Sequence, residues 1–381
     1  MSAPDWVIVG AGFTGAVVAE RIASGLGQDV LVIDRRTHIA GNAYDEPHES
    51  GCLIHRYGPH IFHTNSKPVW DYLSRFTAWR PYYHRVLGMV DGCAVPIPFN
   101  LNSVRALFPP RMADRLSEAL ISRYGFGKKV PILKLRQEAD PDLRFLGTYI
   151  FQKVFEGYTL KQWSLRPDQL DPSVTARVPV HVSRDDRYFQ DTYQAMPEEG
   201  YTALFRRLLD HPRISVRLGV DWKSLSAAMP HARIVYTGAI DEFFDYEYGA
   251  LPYRSLRFEP MAVAPHRGLP VGTMNFPNEF DFTRITDQRH LSGTPDGQPV
   301  LIHEYPEAHM PGVNERYYPV PTEASTALLQ PYLKRAEELK GRVFFAGRLG
   351  DYAYYNMDQA CARALTLFHK QIAAALPMAA E

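Results

Sequence analysis

The sequence predicts an α/β protein whose Rossmann-like dinucleotide-binding domain is discontinuous, interrupted by a helical insertion and by a run of strands. Three observations predict it. Residues 6–9 are a short apolar run ending in Gly10-Ala11-Gly12-Phe13-Thr14-Gly15, and residues 16–22 then carry Val18, Ala19 and Ile22 on one helical face. Much later, Ile234-Val235-Tyr236-Thr237-Gly238 and residues 342–350 are apolar strands with glycine ends, of the kind that return a chain to a nucleotide-binding sheet. Between them, leucines and aromatics recur at helical spacing over 103–124 and 143–155.

The first motif is strand, tight turn and helix. Gly10 permits the turn, Gly12 removes any side chain between the backbone and a pyrophosphate, and Gly15 lets helix and strand pack closely. The unpaired N–H groups of the helix then face the phosphates. A second strand, residues 29–33, ends in Asp34, where an acid hydrogen-bonds the ribose of an adenine dinucleotide and disfavours a 2′-phosphate. Without the strand, the helix and the acid in register, the glycines would be only a turn that binds nothing. Arg35-Arg36 and then His38-Ile39-Ala40-Gly41-Asn42 follow directly, and this second glycine-bearing turn suits the longer, enclosed path of FAD. The bland alternative for Arg35 and Arg36 is a solvated basic corner.

With 381 residues the chain has room for two or three domains sharing a large core. Lys plus Arg equals Asp plus Glu at 42 each, without a block of like charge, so neither a nucleic-acid surface nor a polybasic membrane surface is supported. Cys52, Cys93 and Cys361 lie far apart and form neither a disulfide framework nor a zinc motif. The first strand begins at residue 6, which leaves no room for a cleavable signal, and no apolar run reaches the ~18 residues of a membrane span. A cytoplasmic location is expected.

In order along the chain, Tyr57-Gly58-Pro59-His60-Ile61-Phe62-His63-Thr64 opens on a forced turn. Its two histidines have no Cys or acidic cluster to complete a metal site, so no metal is expected; they are either packed histidines or a loop laid beside a flavin ring. Residues 70–76 read as a helix, and 81–98 as strands around the Asp91-Gly92 turn. Pro109-Pro110 and Pro131 break the helical insertion, which ends in the aromatic-rich segment Phe155–Trp163. Such aromatics are ordinarily core. Arg177, Arg184 and Arg187 follow, then Tyr188-Phe189, and flat rings beside guanidinium groups suit a base and a diphosphate. Residues 204–209 read as a helix and 214–218 as a strand; 253–275, 284–286, 300–305 and 316–319 read as sheet, and 357–368 as a helix facing the flavin.

These segments together resemble the bacterial UDP-galactopyranose mutases. The matching pieces are GAGFTG at 10–15, DRRTHIAGN at 34–42, YGPHIFHT at 57–64, GYTLKQW at 157–163, RYFQDTYQAMPEEGYT at 187–202 and FAGRLG at 345–350. The resemblance implies three parts: a FAD-binding Rossmann-like domain (1–79 with 196–240 and 340–381), a helical domain (101–165) followed by a mobile loop (166–180), and a six-stranded antiparallel sheet for substrate (80–100 with 181–195 and 241–339). It also implies a homodimer.

The chemistry implied is a non-redox interconversion of UDP-galactopyranose and UDP-galactofuranose that needs reduced FAD, with NAD(P)H or another reductant as activator. Flavin N5 attacks galactose C1 and expels UDP; the sugar opens as an iminium and recloses. By the resemblance Arg177, Arg284 and His60 are catalytic, the two arginines meeting charge that grows on the diphosphate. Besides the residues of the two glycine turns (Gly10, Gly12, Phe13, Thr14, Gly15, Asp34, Arg35, Gly41, Asn42), the cofactor would contact Pro59, His60, Ile61 and Val220. Gly347, Arg348, Tyr354, Asn356 and Met357 would complete its site. Tyr158 would stack on uracil with Phe155, Thr159 and Trp163 nearby; Tyr188, Phe189, Tyr318 and Tyr354 would lie at the diphosphate, and Arg254 and Asn275 near the sugar.

Two positions depart from the family pattern. Asn356 stands where an acid often sits, and a neutral amide can hydrogen-bond but cannot carry charge. Ala40 replaces a common glycine, a small intrusion that FAD should survive. Two alternatives remain: an FAD oxidoreductase of the amine-oxidase kind, against which the Arg and Tyr set argues, and a flavin-bearing nucleotide-sugar binding protein without turnover.

Overall fold

The structure is a computed structural model that describes residues 4–170, 179–294 and 296–374. Trp6–Val9 is the central strand of a five-stranded parallel sheet, flanked by Val30–Asp34 and Arg233–Tyr236, with Ile214–Leu218 and Val343–Phe345 at the edges. Trp6, Val7 and Ile8 are all buried, as a strand covered on both faces requires. The helix that follows, Phe13–Leu26, is longer than its sequence pattern predicts and stops at Gly27, whose φ of +63° reverses the chain. Met357–Leu367 and Tyr201–Leu209 pack against it through one continuous apolar core.

The second sheet has seven strands in the order Tyr318–Pro319, Tyr253–Ala262, Val300–Ala308, Arg284–Asp287, Thr273–Asn275, Val86–Val90 and Cys93–Ile97. It is therefore larger than the six antiparallel strands of the resemblance, and it is mixed. Thr273–Asn275 runs parallel to Val86–Val90 because these strands come from distant stretches of chain and need no hairpin between them. The sheet expected over 253–275 is two strands separated by a loop that holds the short turn Pro265–Arg267. A smaller antiparallel sheet joins Phe62–Thr64, Tyr193–Pro197 and Trp79–Pro81, and so brings the histidine-bearing loop beside the segment that carries Tyr188 and Phe189.

The helical insertion comprises Leu101–Leu107, Pro110–Tyr124, Ile132–Arg136 and Pro141–Ile150 around its own core. Asn100 caps the first, accepting from Asn102 N at 2.8 Å and Ser103 N at 3.2 Å. Pro110 and Pro141 occupy first-turn positions, where a missing N–H costs nothing. From Phe151 to Glu156 the backbone widens into a π-helical turn before Gly157–Trp163 resumes as α-helix. Glu323–Glu338 is a helix absent from the sequence expectations; Pro331 lies inside it, and Leu328, Leu329 and Tyr332 pack it onto Ile240 and Tyr253. Among the described residues no helix is long and apolar enough to cross a membrane.

Asp45 ties the parallel-sheet core together from outside any regular element of length. Its carboxylate accepts Tyr201 N at 2.6 Å and Thr202 N at 2.8 Å, capping a helix from more than 150 residues away, while Gly200 leaves room for it. Asp45→Ala is expected to lower unfolding free energy by ~1–2 kcal/mol, read as a reduced urea midpoint at unchanged slope.

Candidate functional site

Two adjoining cavities occupy the ground between the parallel sheet, the mixed sheet and the helical insertion. The first is built on the glycine fingerprint, lined by Gly10, Gly12, Phe13, Thr14, Asp34, Arg35, Gly41 and Asn42. A Cβ on Gly10 would lie 2.0 Å from Thr237 Oγ1, and one on Gly41 2.9 Å from Gly12 Cα, so two backbone turns meet with no side chain between them. Gly15 faces inward instead, where a Cβ would sit 1.9 Å from Gly10 O. Phe13–Leu26 has no side-chain cap, which leaves its first N–H groups for an anion. Asp34 is held at the strand end by Ala11 N at 2.8 Å and Arg36 N at 2.9 Å, and each carboxylate oxygen keeps a lone pair for a ribose hydroxyl.

Arg35 and Arg36 both pair with Glu315, at 2.7 and 3.1 Å, on this cavity's rim, Arg36 largely covered and Arg35 still partly exposed. Val220 lines one wall, and Gly347, Arg348, Asn356 and Met357 line the far end. Ala40, also in the lining, is buried at a φ of +73°, a conformation in which a Cβ is strained. Asn356 N donates to Gln359 Oε1 at 2.9 Å at the start of the helix Met357–Leu367.

Asn42, His60, Arg348, Asn356 and Met357 line both cavities, which makes the two one continuous site. The second cavity is walled by Pro59 and Ile61, by Phe155, Tyr158, Thr159 and Trp163, and by Tyr188, Phe189, Asn275, Arg284, Tyr318 and Tyr354. The π-helical turn and Gly157 set the aromatic group; a Cβ on Gly157 would lie 2.7 Å from Pro277 O, so only glycine lets the helix press against that loop. Tyr318 and Tyr354 stack at 4.9 Å, with the Arg348 guanidinium 5.2 and 5.3 Å from their ring centres.

Arg284 is a cation of this cavity beside Arg348. Burial opposes its charge, but Glu304 lies 2.8 Å away, and Tyr158 and Tyr318 add to the effect, so its pKa stands well above the ordinary value. Burial raises the pKa of Tyr158 and Tyr318, which stay protonated as donors. Burial also pushes His60 down to about 3, with His55 and Arg348 contributing; its Nδ1–H donates to Gly58 O at 2.9 Å, and Nε2 is left as a neutral acceptor. His63 also lines this cavity, with Nδ1 3.0 Å from Asp191 Oδ2.

Arg254 stands apart from the expected set. It does not line either cavity; Nε donates to Gln162 O at 2.8 Å and satisfies the end of the helix Gly157–Trp163. Arg177 lies outside the described residues. Glu304, Tyr317 and His84 line the second cavity without a role in the sequence pattern, although Glu304, a lone acid in the apolar run Val300–Tyr305, is the pattern of a buried ion pair.

A glycine-lined dinucleotide cavity opening onto a cationic, aromatic one defines a class: Rossmann-type cofactor enzymes that hold an anionic substrate against the cofactor. Residues 153–354 match the family model for UDP-galactopyranose mutase, and residues 8–76 that for an NAD(P)-binding Rossmann-like domain. The chain is 37% identical to a probable UDP-galactopyranose mutase of Klebsiella pneumoniae, over 96% of this chain and 94% of that one. It is 31% identical to a dTDP-fucopyranose mutase of Escherichia coli, over 92% of this chain and 94% of that one. A crystal structure of reduced UDP-galactopyranose mutase superposes with a TM-score of 0.70 at 16% identity, covering 98% of this chain and 96% of that one. The chain belongs to the UDP-galactopyranose mutase family, whose members are isomerases that exchange pyranose and furanose rings. Gly41→Val should lower the flavin absorbance per purified chain, because the new side chain collides with Gly12 Cα; an unchanged ratio would remove the second turn from the cofactor site.

Proposed function

We propose that this enzyme interconverts UDP-galactopyranose and UDP-galactofuranose without net redox change, using FAD in its reduced state. The observation that carries the proposal is the pair of half-buried Arg284 with buried Glu304 in the wall of an aromatic cavity continuous with the dinucleotide cavity. The cradle fits FAD: Gly12 and Gly41 allow close approach, the uncapped helix start receives the diphosphate, and Asp34 receives a ribose. Gly347 and Met357 would stand at the ring end. When bound and reduced, the flavin supplies a nucleophile for galactose C1.

The chain's own residues do the rest. Bond breaking at C1 builds negative charge on the departing diphosphate, and Arg284, already charged and fixed before the reaction, stabilises that charge without reorganising. The hydroxyls of Tyr318 and Tyr354 add donors at the same place. Tyr158, Phe155 and Trp163 retain the uridine, so UDP stays within reach for return to the rearranged sugar. His60, uncharged across working pH, puts no proton source against the ring.

The deciding experiment incubates the purified protein with UDP-galactofuranose under dithionite and in air, and analyses the products. Conversion to UDP-galactopyranose only under reduction supports the proposal; conversion of a dTDP-linked 6-deoxy sugar in preference would shift the substrate toward that of the E. coli relative. Arg284→Ala is expected to lower kcat by about a hundredfold or more with flavin content retained. Near-normal turnover would exclude it from the chemistry. Trp163→Ala should weaken UDP binding by ~1–3 kcal/mol, as for loss of a ring beside a base, with calorimetry as the readout.

A further inference from the structure

Residues 276–283 join two strands that both reach the second cavity: the loop leaves directly after Asn275 and returns directly before Arg284. Phe276 N donates to Thr283 O at 2.8 Å and closes its base, and the ring of Phe276 packs edge-on against Phe280 and Phe282, which stack on each other at 4.9 Å. Phe280 holds a φ of +59°, a conformation strained for a residue with a side chain, which persists only where the surroundings fix it. The shape of the loop is therefore set from within.

This loop is fastened to the aromatic helix Gly157–Trp163 and to the π-helical turn before it. Lys161 Nζ donates to Phe276 O at 2.8 Å and to Glu279 O at 2.6 Å, and Asn278 Nδ2 donates to Lys153 O at 2.8 Å. Gly157 lies against Pro277 O between these bonds, with no side chain to hold the two backbones apart. A helix lysine ordinarily extends its ammonium into water. That of Lys161 turns onto two carbonyls instead, and the burial this entails lowers its pKa against the opposing pull of Glu279 and Asp281.

The helix so fastened carries Tyr158, Thr159 and Trp163 into the cavity, and the far end of the loop carries Arg284. One joint thus sets how far the ring pocket stands from the guanidinium. A ligand that spans both places gains from having them held at a fitting separation, because its second contact is then intramolecular. A ligand that fills only one gains nothing.

We propose that Lys161 is a positioning residue that holds the base-binding helix at a fixed distance from Arg284, so that a nucleoside diphosphate meets both at once. This deepens, and rests on, the nucleotide-sugar function proposed above.

The test compares UDP, which spans both places, with uridine, which fills one, on the oxidised, flavin-loaded protein, by calorimetry for UDP and by NMR titration for uridine. Lys161→Met keeps an unbranched stem and removes the ammonium; it is expected to weaken UDP about five- to twentyfold and uridine less than about twofold. Asn278→Ala cuts the joint from its other side and should show the same selectivity with a smaller loss, which keeps the test decisive if Lys161→Met does not fold. Equal losses for UDP and uridine mark a merely structural contact and overturn the proposal, as does unchanged affinity for UDP in both variants. Failure of the unchanged protein to bind UDP defeats the functional proposal and this inference with it, whereas UDP binding with unselective variants defeats this inference alone.

Discussion

Arg284 and Glu304 are register partners on neighbouring antiparallel strands, and their pairing is the constraint on which the site depends. Glu304 is 2% exposed, with Oε2 on the guanidinium and Oε1 lacking a partner among the described residues. A carboxylate so placed is tolerable only beside a cation, and the cation in turn cannot leave without abandoning a buried charge. Because side chains alternate along a strand, a one-residue slip would turn Arg284 to the opposite face. The loop that carries Pro59 and His60 rests on the same place: Gly58, at a φ of +91°, approaches Phe258 and Glu304 so closely that a Cβ would lie 2.9 Å from the Phe258 ring and 3.5 Å from Glu304 Oε2. Sheet register, fixed charge and the wall beside the cofactor are one problem with one solution.

How much of this was legible in the sequence follows from how local each constraint is. The glycine fingerprint, Asp34 and the second turn at Gly41 were legible because their demands are met within a few residues of backbone. The aromatic run Phe155–Trp163 was legible as a group, but not the π-helical turn that aims it, since its composition differs little from that of an ordinary helix. Glu304 and Lys161 acquire meaning only from partners brought by the fold, Arg284 on the neighbouring strand and the carbonyls of Phe276 and Glu279. Arg254 shows the converse: a residue expected near the sugar satisfies helix carbonyls instead. Pro331 hid the helix Glu323–Glu338, which tertiary packing of Tyr332 maintains despite the missing N–H.

The departures from the family pattern fall at backbone positions rather than at the charged centre. Ala40 accepts a left-handed conformation that glycine would adopt without strain, and its amide still donates to Ala11 O at 2.9 Å, so the turn is preserved at a small conformational cost. Asn356 lines both cavities from the start of the helix Met357–Leu367, whose first turn already carries Asp358; its amide can bond a ligand hydroxyl but adds no charge of its own.

The order of the parallel sheet has a consequence for how the protein is made. Trp6–Val9 is synthesised first but is flanked on one side by Arg233–Tyr236, whose own outer neighbour is Val343–Phe345, and the first helix is covered by Met357–Leu367. A ribosome must therefore deliver the chain through the helix Met357–Leu367 before the fingerprint at residues 10–15 has its neighbours. Until then the nascent chain carries an apolar central strand with one edge open, and a cofactor arriving early meets half a cradle. The cavity on the glycine fingerprint is complete only once residues 347–360 have joined those at 9–14.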